Sequence, residues 1–309
     1  PKLLLTESMV EIFSDENRRN PYPLYEQLRV TSPVACQPEN GLWMLFDYES
    51  VNRALTDHET FSSRHGPVEW MIFLDPPRHS KLRGLISQAF TPRSVGNLEP
   101  RIRELARGFL DQAIERGEMD LAADFAVPLP MAVIAEMLGV PVADRPRFTK
   151  WNDAILNMSY TVPAGSALDG VVKEFRAATA EMNGYLGDLL DERRVSPKED
   201  LLTGLVQAEL GGERLSQAEI LGFFQLLLLA GSETTTNLIN NAILCFLEHP
   251  AQLARLRANP ELLPSAIEEV LRYRSPLQWM FRLTKSDVEM GNQHIPSGKV
   301  VLAIIGSAN

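Results

Sequence analysis

The fold is decided by one long apolar stretch with a polar centre, SQAEILGFFQLLLLAGSETTTNLINNAILCFLEHP, at residues 216–250. A helix that is apolar on most of its faces lies in a protein core. Ser216 and Glu219 have the spacing of a capping box, and the residue before Pro250 is disfavoured in a helix. The pattern therefore predicts a single buried helix from residue 216 to residue 248.

The centre of this helix carries the motif AGSETT, residues 230–235, where polar groups are costly unless they are hydrogen-bonded or take part in chemistry. One interpretation is structural, with hydroxyls that bond back to carbonyls of their own helix. The other is functional. Gly231 would let a ligand approach the backbone, and the adjacent Glu233 and Thr234 would supply the acid and the alcohol of a proton relay. Both interpretations stay open at this point.

Composition restricts the function. The chain of 309 residues has a net charge of -10, which argues against nucleic acid as its main partner. Two cysteines are too few for a disulfide framework. We find no signal-like segment, and the polar centre interrupts the longest apolar stretch before the ~20 residues that a membrane span needs. We therefore expect a cytoplasmic protein without a membrane partner.

The rest of the pattern predicts a mainly α protein with a small β region, an α+β fold whose sheet is built from both ends of the chain. Predicted strands are 42–46, 288–290, 294–295 and 300–305. Predicted helices are 47–56, 78–90, 95–115, 129–138, 145–157, 171–194, 201–209, 251–258 and 262–274.

Three further motifs accompany the long helix. Residues 269–272 read EVLR, whose Glu and Arg share one helix face, although such pairs are usually ordinary surface pairs. Residues 79–83 read HSKLR, which places a His and an Arg four residues apart on one helix face. The two side chains could bind an anionic group, or they could form an ordinary solvated basic face. Residues 276–282 read PLQWMFR, an aromatic-rich run that ends in an Arg.

In this order the motifs resemble those of the cytochrome P-450 haem-thiolate monooxygenases, in particular the soluble bacterial branch. The resemblance covers essentially the whole chain and includes PYPLY at 21–25, FTPR at 90–93, PLP at 128–130 and LGVP at 138–141. It implies one cytochrome P-450 domain over residues 1–309 that is incomplete at its C-terminal end.

The resemblance also implies roles for residues that match the family's motifs. Glu233 and Thr234 match the catalytic pair that delivers protons during oxygen activation, and Glu269 and Arg272 match a structural pair. The expected cofactor-binding residues are His79, Arg83 and Arg282, at the haem propionates, with Ala230 and Gly231 in the central helix. The expected substrate-pocket residues are Val68, Trp70, Met71, Ile72, Leu226, Leu229, Gln278, Trp279 and Met280.

The expected cofactor is haem b, and the expected substrates are an apolar small molecule and O2. The expected electron donor is a separate ferredoxin with its reductase. Neither Cys36 nor Cys245 lies in the glycine-rich loop that supplies the family's axial thiolate, so the chain contains no metal ligand and we expect that cysteine beyond Asn309. The predicted reaction is hydroxylation or epoxidation. An alternative is a non-catalytic remnant that binds haem or an apolar ligand. A peroxide-driven oxygenase is disfavoured by the pair Glu233 and Thr234.

Overall fold

The computed structural model describes residues 12, 14–37, 41–64, 70–160 and 167–309. Helices dominate the described residues, as the sequence predicts. They are α1 (Asp15–Arg19), α2 (Tyr22–Thr31), α3 (Tyr48–Thr56), α4 (Arg78–Ala89), α5 (Pro92–Gly96), α6 (Glu99–Arg116), α7 (Pro128–Met137), α8 (Arg145–Tyr160), α9 (Ala167–Val195), α10 (Leu201–Gln207), α11 (Gln217–Glu248), α12 (Pro250–Ala258), α13 (Leu263–Tyr273) and α14 (Ile305–Ala308). Short 3-10 turns lie at Met71–Phe73, Val142–Asp144 and Pro260–Leu262, and a π-helical turn lies at Ala122–Ala126.

The strands are short. They are β1 (Val34–Gln37), β2 (Leu42–Leu45), β3 (Phe61–Ser62), β4 (Glu209–Leu210), β5 (Glu213–Arg214), β6 (Met280–Thr284), β7 (Val288–Met290), β8 (Gln293–Ile295) and β9 (Val300–Ala303). The described residues group into two compact units, of which the first takes residues from 1–67, 73–75 and 241–309, and the second from 68–72 and 76–240. Across the described ranges, no helix is long and apolar enough to cross a membrane.

A five-stranded sheet forms the core of the first unit, in the order β1-β2-β9-β6-β3. Its central strands β2 and β9 are parallel, and Met44 pairs with Leu302. One face, with Trp43 and Leu45, packs against α3, and the other, with Met44 and Leu302, packs against α2. Because both faces are covered, these strands read as continuous apolar runs. The prediction of a sheet built from both ends of the chain is confirmed.

The last strand is shorter than predicted. It ends at Ala303, and α14 begins at Ile305 instead of a strand that continues through residue 305. The neighbouring strand β2 ends at Leu45, because Asp47 then caps α3 by accepting a hydrogen bond from the Ser50 amide. Residues after Ile304 therefore lack a neighbouring strand on that side, and a helical turn satisfies their backbone groups.

The second unit is helical and differs from the prediction at two places. The helix predicted over 95–115 is broken between α5 and α6, because Pro100 lies in the first turn of α6. The helix predicted to reach residue 209 ends at Gln207, and the hairpin β4–β5 follows it. Gly211 and Gly212 turn that hairpin with φ of +61° and +81°, which glycine adopts without strain.

Candidate active site

The long helix forms as its end signals predict. The Ser216 amide donates to Glu219 Oε2 at 2.8 Å, and the Glu219 amide donates to Ser216 Oγ at 3.2 Å, so the capping box is present. The helix ends at Glu248, and His249 and Pro250 follow it. Its faces differ at the polar centre: Ser232 is buried, Glu233 and Thr234 are half-buried, and Ala230 is exposed. The acid and the alcohol therefore lie on a partly accessible face of the helix. The prediction that the whole helix is buried is wrong, because Ile243, Leu244 and Leu247 near its C-terminal end are exposed.

The hydroxyls of the polar centre bond to backbone carbonyls. Thr234 Oγ1 donates to the Ala230 carbonyl at 2.6 Å, and Ser232 Oγ lies 2.6 Å from the Leu228 carbonyl oxygen. The hydrogen bonds expected from the structural interpretation are therefore present. The backbone remains α-helical through residues 230–235. They do not exhaust the chemistry, because a hydroxyl that donates one hydrogen bond retains two lone pairs as acceptors.

Gly231 lies close to α7. A Cβ at this position would lie 2.9 Å from Cδ1 of Ile134, a buried residue of α7. This contact was not anticipated from the sequence, which predicts that the missing side chain admits a ligand. The close approach of α7 is by itself a sufficient physical reason for glycine, so the role of Gly231 beside a cofactor stays a prediction.

The two basic candidates of the second unit lie one turn apart on α4. His79 is half-buried and Arg83 is exposed. Their neighbours Arg78 and Lys81 form ion pairs with Glu213 on β5. Arg78 and Lys81 therefore join α4 to the hairpin β4–β5, whereas Arg83 is exposed to solvent.

The third basic candidate, Arg282, belongs to the first unit and lies on β6. Burial lowers the pKa of its guanidinium, and Asp75 opposes that shift. Asp75 itself accepts hydrogen bonds from Ser62 Oγ at 2.5 Å and from the Ser63 amide at 2.7 Å. Within the described part of the chain Arg282 forms no ion pair, and its Nη1 donates to the Phe281 carbonyl. A partly desolvated guanidinium of this kind suits a carboxylate ligand, so the donor chemistry fits a haem propionate.

The pair Glu269 and Arg272 forms as its spacing predicts, but it is exposed. Arg272 donates from Nε and Nη2 to the two carboxylate oxygens at 2.9 and 2.8 Å. The side chains are 61% and 54% exposed, respectively. An exposed pair contributes only about 0–1 kcal/mol. Removing one member would therefore leave no buried unpaired charge in the described geometry. The structural role of the two residues remains a prediction.

The expected pocket residues divide between the units. In the second unit Trp70 and Leu226 are buried, and Met71, Ile72 and Leu229 are half-buried. In the first unit the half-buried residues are Gln278, Trp279 and Met280. Gln278 uses its amide to donate to the Ser275 carbonyl at 2.7 Å, and Trp279 packs edge-on against Phe281. Val68 lies outside the described residues.

A cavity of about 440 Å³ in the first unit lies among residues of α11, α12 and α13. It is lined by Cys245, His249, Glu269 and Tyr273, among others, and by none of the expected pocket residues. Burial raises the pKa of the Cys245 thiol, and it also raises that of Cys36. Burial therefore favours the neutral thiol of both cysteines in this structure. No group of three metal-ligating side chains occurs among the residues that the structure describes.

Comparison with known proteins identifies similar chains. A family model described as Cytochrome P450 matches residues 39–309. Cytochrome P450 109 of Bacillus spizizenii is 40% identical over 302 residues, which cover 97% of this chain and 74% of the relative. The vitamin D(3) 25-hydroxylase of Pseudonocardia autotrophica is 37% identical over 316 residues, which cover 97% of this chain and 76% of the relative. The crystal structure of CYP109E1 from Bacillus megaterium in complex with testosterone has a TM-score of 0.85 and 38% identity, and covers 94% of this chain and 76% of that one.

Proposed function

The chain belongs to the cytochrome P450 family, as its motifs predict, and on that premise we propose that it inserts one oxygen atom from O2 into an apolar small molecule. Members of this family are haem monooxygenases with haem b as the cofactor. The proposed electron donor is a ferredoxin with its reductase. A non-catalytic remnant is not favoured, because a relative of 37% identity is named as a hydroxylase.

We propose that three basic residues hold the carboxylates of haem. Arg282 contributes a half-buried guanidinium that is bound to no carboxylate among the described residues, and His79 and Arg83 contribute two donors from one side of α4. Charge-assisted hydrogen bonds of this kind are roughly twice as strong as neutral ones. When bound, haem with a thiolate ligand supplies the electron density that favours cleavage of the O–O bond.

The single observation that carries the proposed function is the geometry of Thr234. Its hydroxyl is fixed by a 2.6 Å hydrogen bond to the Ala230 carbonyl, on a partly accessible face of α11, and Glu233 precedes it in the sequence. The oxygen of Thr234 can accept a hydrogen bond from water while its own proton is held at the Ala230 carbonyl, and it can donate that proton after a rotation about χ1. We propose that Glu233 supplies protons from solvent and Thr234 delivers them.

We propose an apolar substrate of steroid-like size. The candidate wall of the second unit consists of Trp70, Met71, Ile72, Leu226 and Leu229, which would exclude water and give few polar anchors. The relative solved with testosterone supports this class.

The test is oxygen incorporation. The haem-loaded protein, expressed with the segment that supplies the axial cysteine, is given a ferredoxin, its reductase, testosterone and isotopically labelled dioxygen, and products are identified by mass spectrometry. We expect a product that gains one labelled oxygen atom and requires the electron donor. Haem-loaded protein that consumes electrons and yields only water or hydrogen peroxide with testosterone and with a panel of other apolar compounds would contradict the proposal.

A further inference from the structure

A buried amide on α11 links three segments of the second unit. Gln225 is 8% exposed and lies within the apolar run FFQLLLL at residues 223–229. Its Oε1 accepts a hydrogen bond from Trp70 Nε1 at 2.8 Å. Its Nε2 donates to Asn183 Oδ1 on α9 at 3.0 Å. The side chain thus joins Trp70, which precedes the turn at Met71–Phe73, to α9 through the central helix.

The direction of this chain of hydrogen bonds is fixed by its first member. The indole N–H of Trp70 can only donate, so the oxygen of the Gln225 amide must face it. The NH2 group of Gln225 must then face α9, where the oxygen of Asn183 accepts. No other rotation of the Gln225 amide satisfies both neighbours, so the bridge has a single hydrogen-bonded state.

The bridge also has an energetic consequence. Trp70 is 5% exposed, so its N–H cannot exchange Gln225 for bulk water without movement of the segment. A buried donor that loses its acceptor pays most of its desolvation penalty. The position of Trp70 and of the neighbouring Met71 and Ile72 therefore depends on an acceptor that α11 supplies at residue 225.

We propose that Gln225 is a positioning residue, which holds the segment Trp70–Ile72 against α11 and so sets the shape of one wall of the substrate pocket. The assignment of this segment to a pocket rests on the proposed function. The bridge itself rests on distances and burial alone. Gln225 acts through Trp70 and needs no contact with the substrate.

The test measures local hydrogen exchange by mass spectrometry in the full chain. The variants are Gln225→Met, which keeps the length of the side chain and removes the acceptor, Trp70→Phe, and the double variant. We expect amides of residues 71–72 to exchange about fivefold to a hundredfold faster in each single variant, which is the cost of an unsatisfied buried donor or acceptor expressed as an equilibrium factor. The double variant should add little to either single change, because both remove the same bond.

The matched control is Thr236→Val, which removes a hydrogen bond from the same helix, that of Thr236 Oγ1 to the Ala126 carbonyl at 2.8 Å. We expect it to leave exchange at residues 71–72 unchanged. Unchanged exchange in Gln225→Met, or an acceleration spread evenly over the second unit, would overturn the proposal. Exchange is read on the chain whether or not it oxidises a substrate, so failure of the proposed function is a separate result.

Discussion

At the scale of single residues, Arg282 has no ion-pair partner among the described residues, whereas an even more buried arginine of this chain has one. Arg193 has a side chain that is only 1% exposed, but its Nε bonds Asp200 at 2.6 Å. Arg282 is half-buried, and its only described side-chain hydrogen bond goes to the carbonyl of Phe281. Its guanidinium therefore carries a desolvation cost that the protein itself does not offset with an ion pair, as expected for a residue that binds an anion.

We predict that Arg282→Gln weakens haem retention by about tenfold to a hundredfold, because a hydrogen bond to a charged group contributes about 1.5–3 kcal/mol. Haem content after purification and the rate of haem transfer to an acceptor protein measure the effect. The free energy of unfolding of the haem-free chain should not fall, because the variant removes an uncompensated charge. Arg103→Gln, at an exposed pair with Glu99, is the control. Normal haem retention in Arg282→Gln would refute the assignment.

At the scale of elements, the close contact between α7 and α11 favours glycine in the polar motif. Alanine is a better helix former than glycine by about 1 kcal/mol. At residue 231, however, its Cβ would meet Ile134 Cδ1 at 2.9 Å. Because Ile134 is itself 4% exposed, its side chain has little room to move away.

We predict that Gly231→Ala lowers the free energy of unfolding by about 1–3 kcal/mol, as overpacked cores do. Ile134→Val removes the clashing Cδ1 and should cost about 0.5–1.5 kcal/mol alone. The double variant should be more stable than the sum of the two losses, by a coupling of about 0.5 kcal/mol or more. Denaturant titration of all four proteins gives the cycle. Strictly additive losses would show that the two side chains do not meet.

Three helices of the second unit are joined by one carboxylate. Glu136 on α7 accepts two hydrogen bonds from Arg101 of α6, each at 2.7 Å, and one from Arg145 of α8 at 2.7 Å. The hydrogen bonds from Arg101 hold the pKa of Glu136 below its ordinary 4.5, and the charge of Arg145 acts in the same direction. The network is therefore favourable only while Glu136 is ionised.

We predict that Glu136→Gln lowers the free energy of unfolding by about 1–2 kcal/mol at pH 7. A folded-state pKa below the ordinary value means that the stabilisation is present above about pH 4.5 and is lost as the pH falls through the folded pKa. The difference between the wild-type chain and the variant should therefore shrink on acidification below pH 4.5. Denaturant titrations at several pH values measure it, and a difference that is constant with pH would contradict the ionic account.

At the scale of the whole molecule, periodicity and end signals in the sequence were sufficient for the main helices and the sheet. The capping box at Ser216 and the Pro after His249 define both ends of α11 because these signals act through local backbone chemistry. The hairpin at Gly211–Gly212 carried a recognisable turn signal that the helical interpretation overlooked. The early end of β9 depends on where β2 stops, which is a tertiary fact.

The candidate site was predicted less completely than the fold. The residue types of α11 indicated a proton relay, but only packing reveals that Gly231 faces Ile134. Gln225 was visible as a polar interruption of an apolar run, yet its partners lie 155 and 42 residues away along the chain. The exposure of the pair Glu269 and Arg272 could not be predicted either, since spacing on one helix does not report what covers it.

The central claim is that the polar centre of α11 couples electron input to oxygenation, and the most direct measurement is product formed per electron consumed. In Thr234→Ala we predict that haem and substrate still bind, that product per reducing equivalent falls about tenfold or more, and that released hydrogen peroxide rises, because the delivering hydroxyl is gone. Thr234→Ser keeps the hydroxyl and should retain most of the coupling. If Thr234→Ala couples electrons to product as well as the wild-type chain does, the hydroxyl only bonds the Ala230 carbonyl, and the account is contradicted.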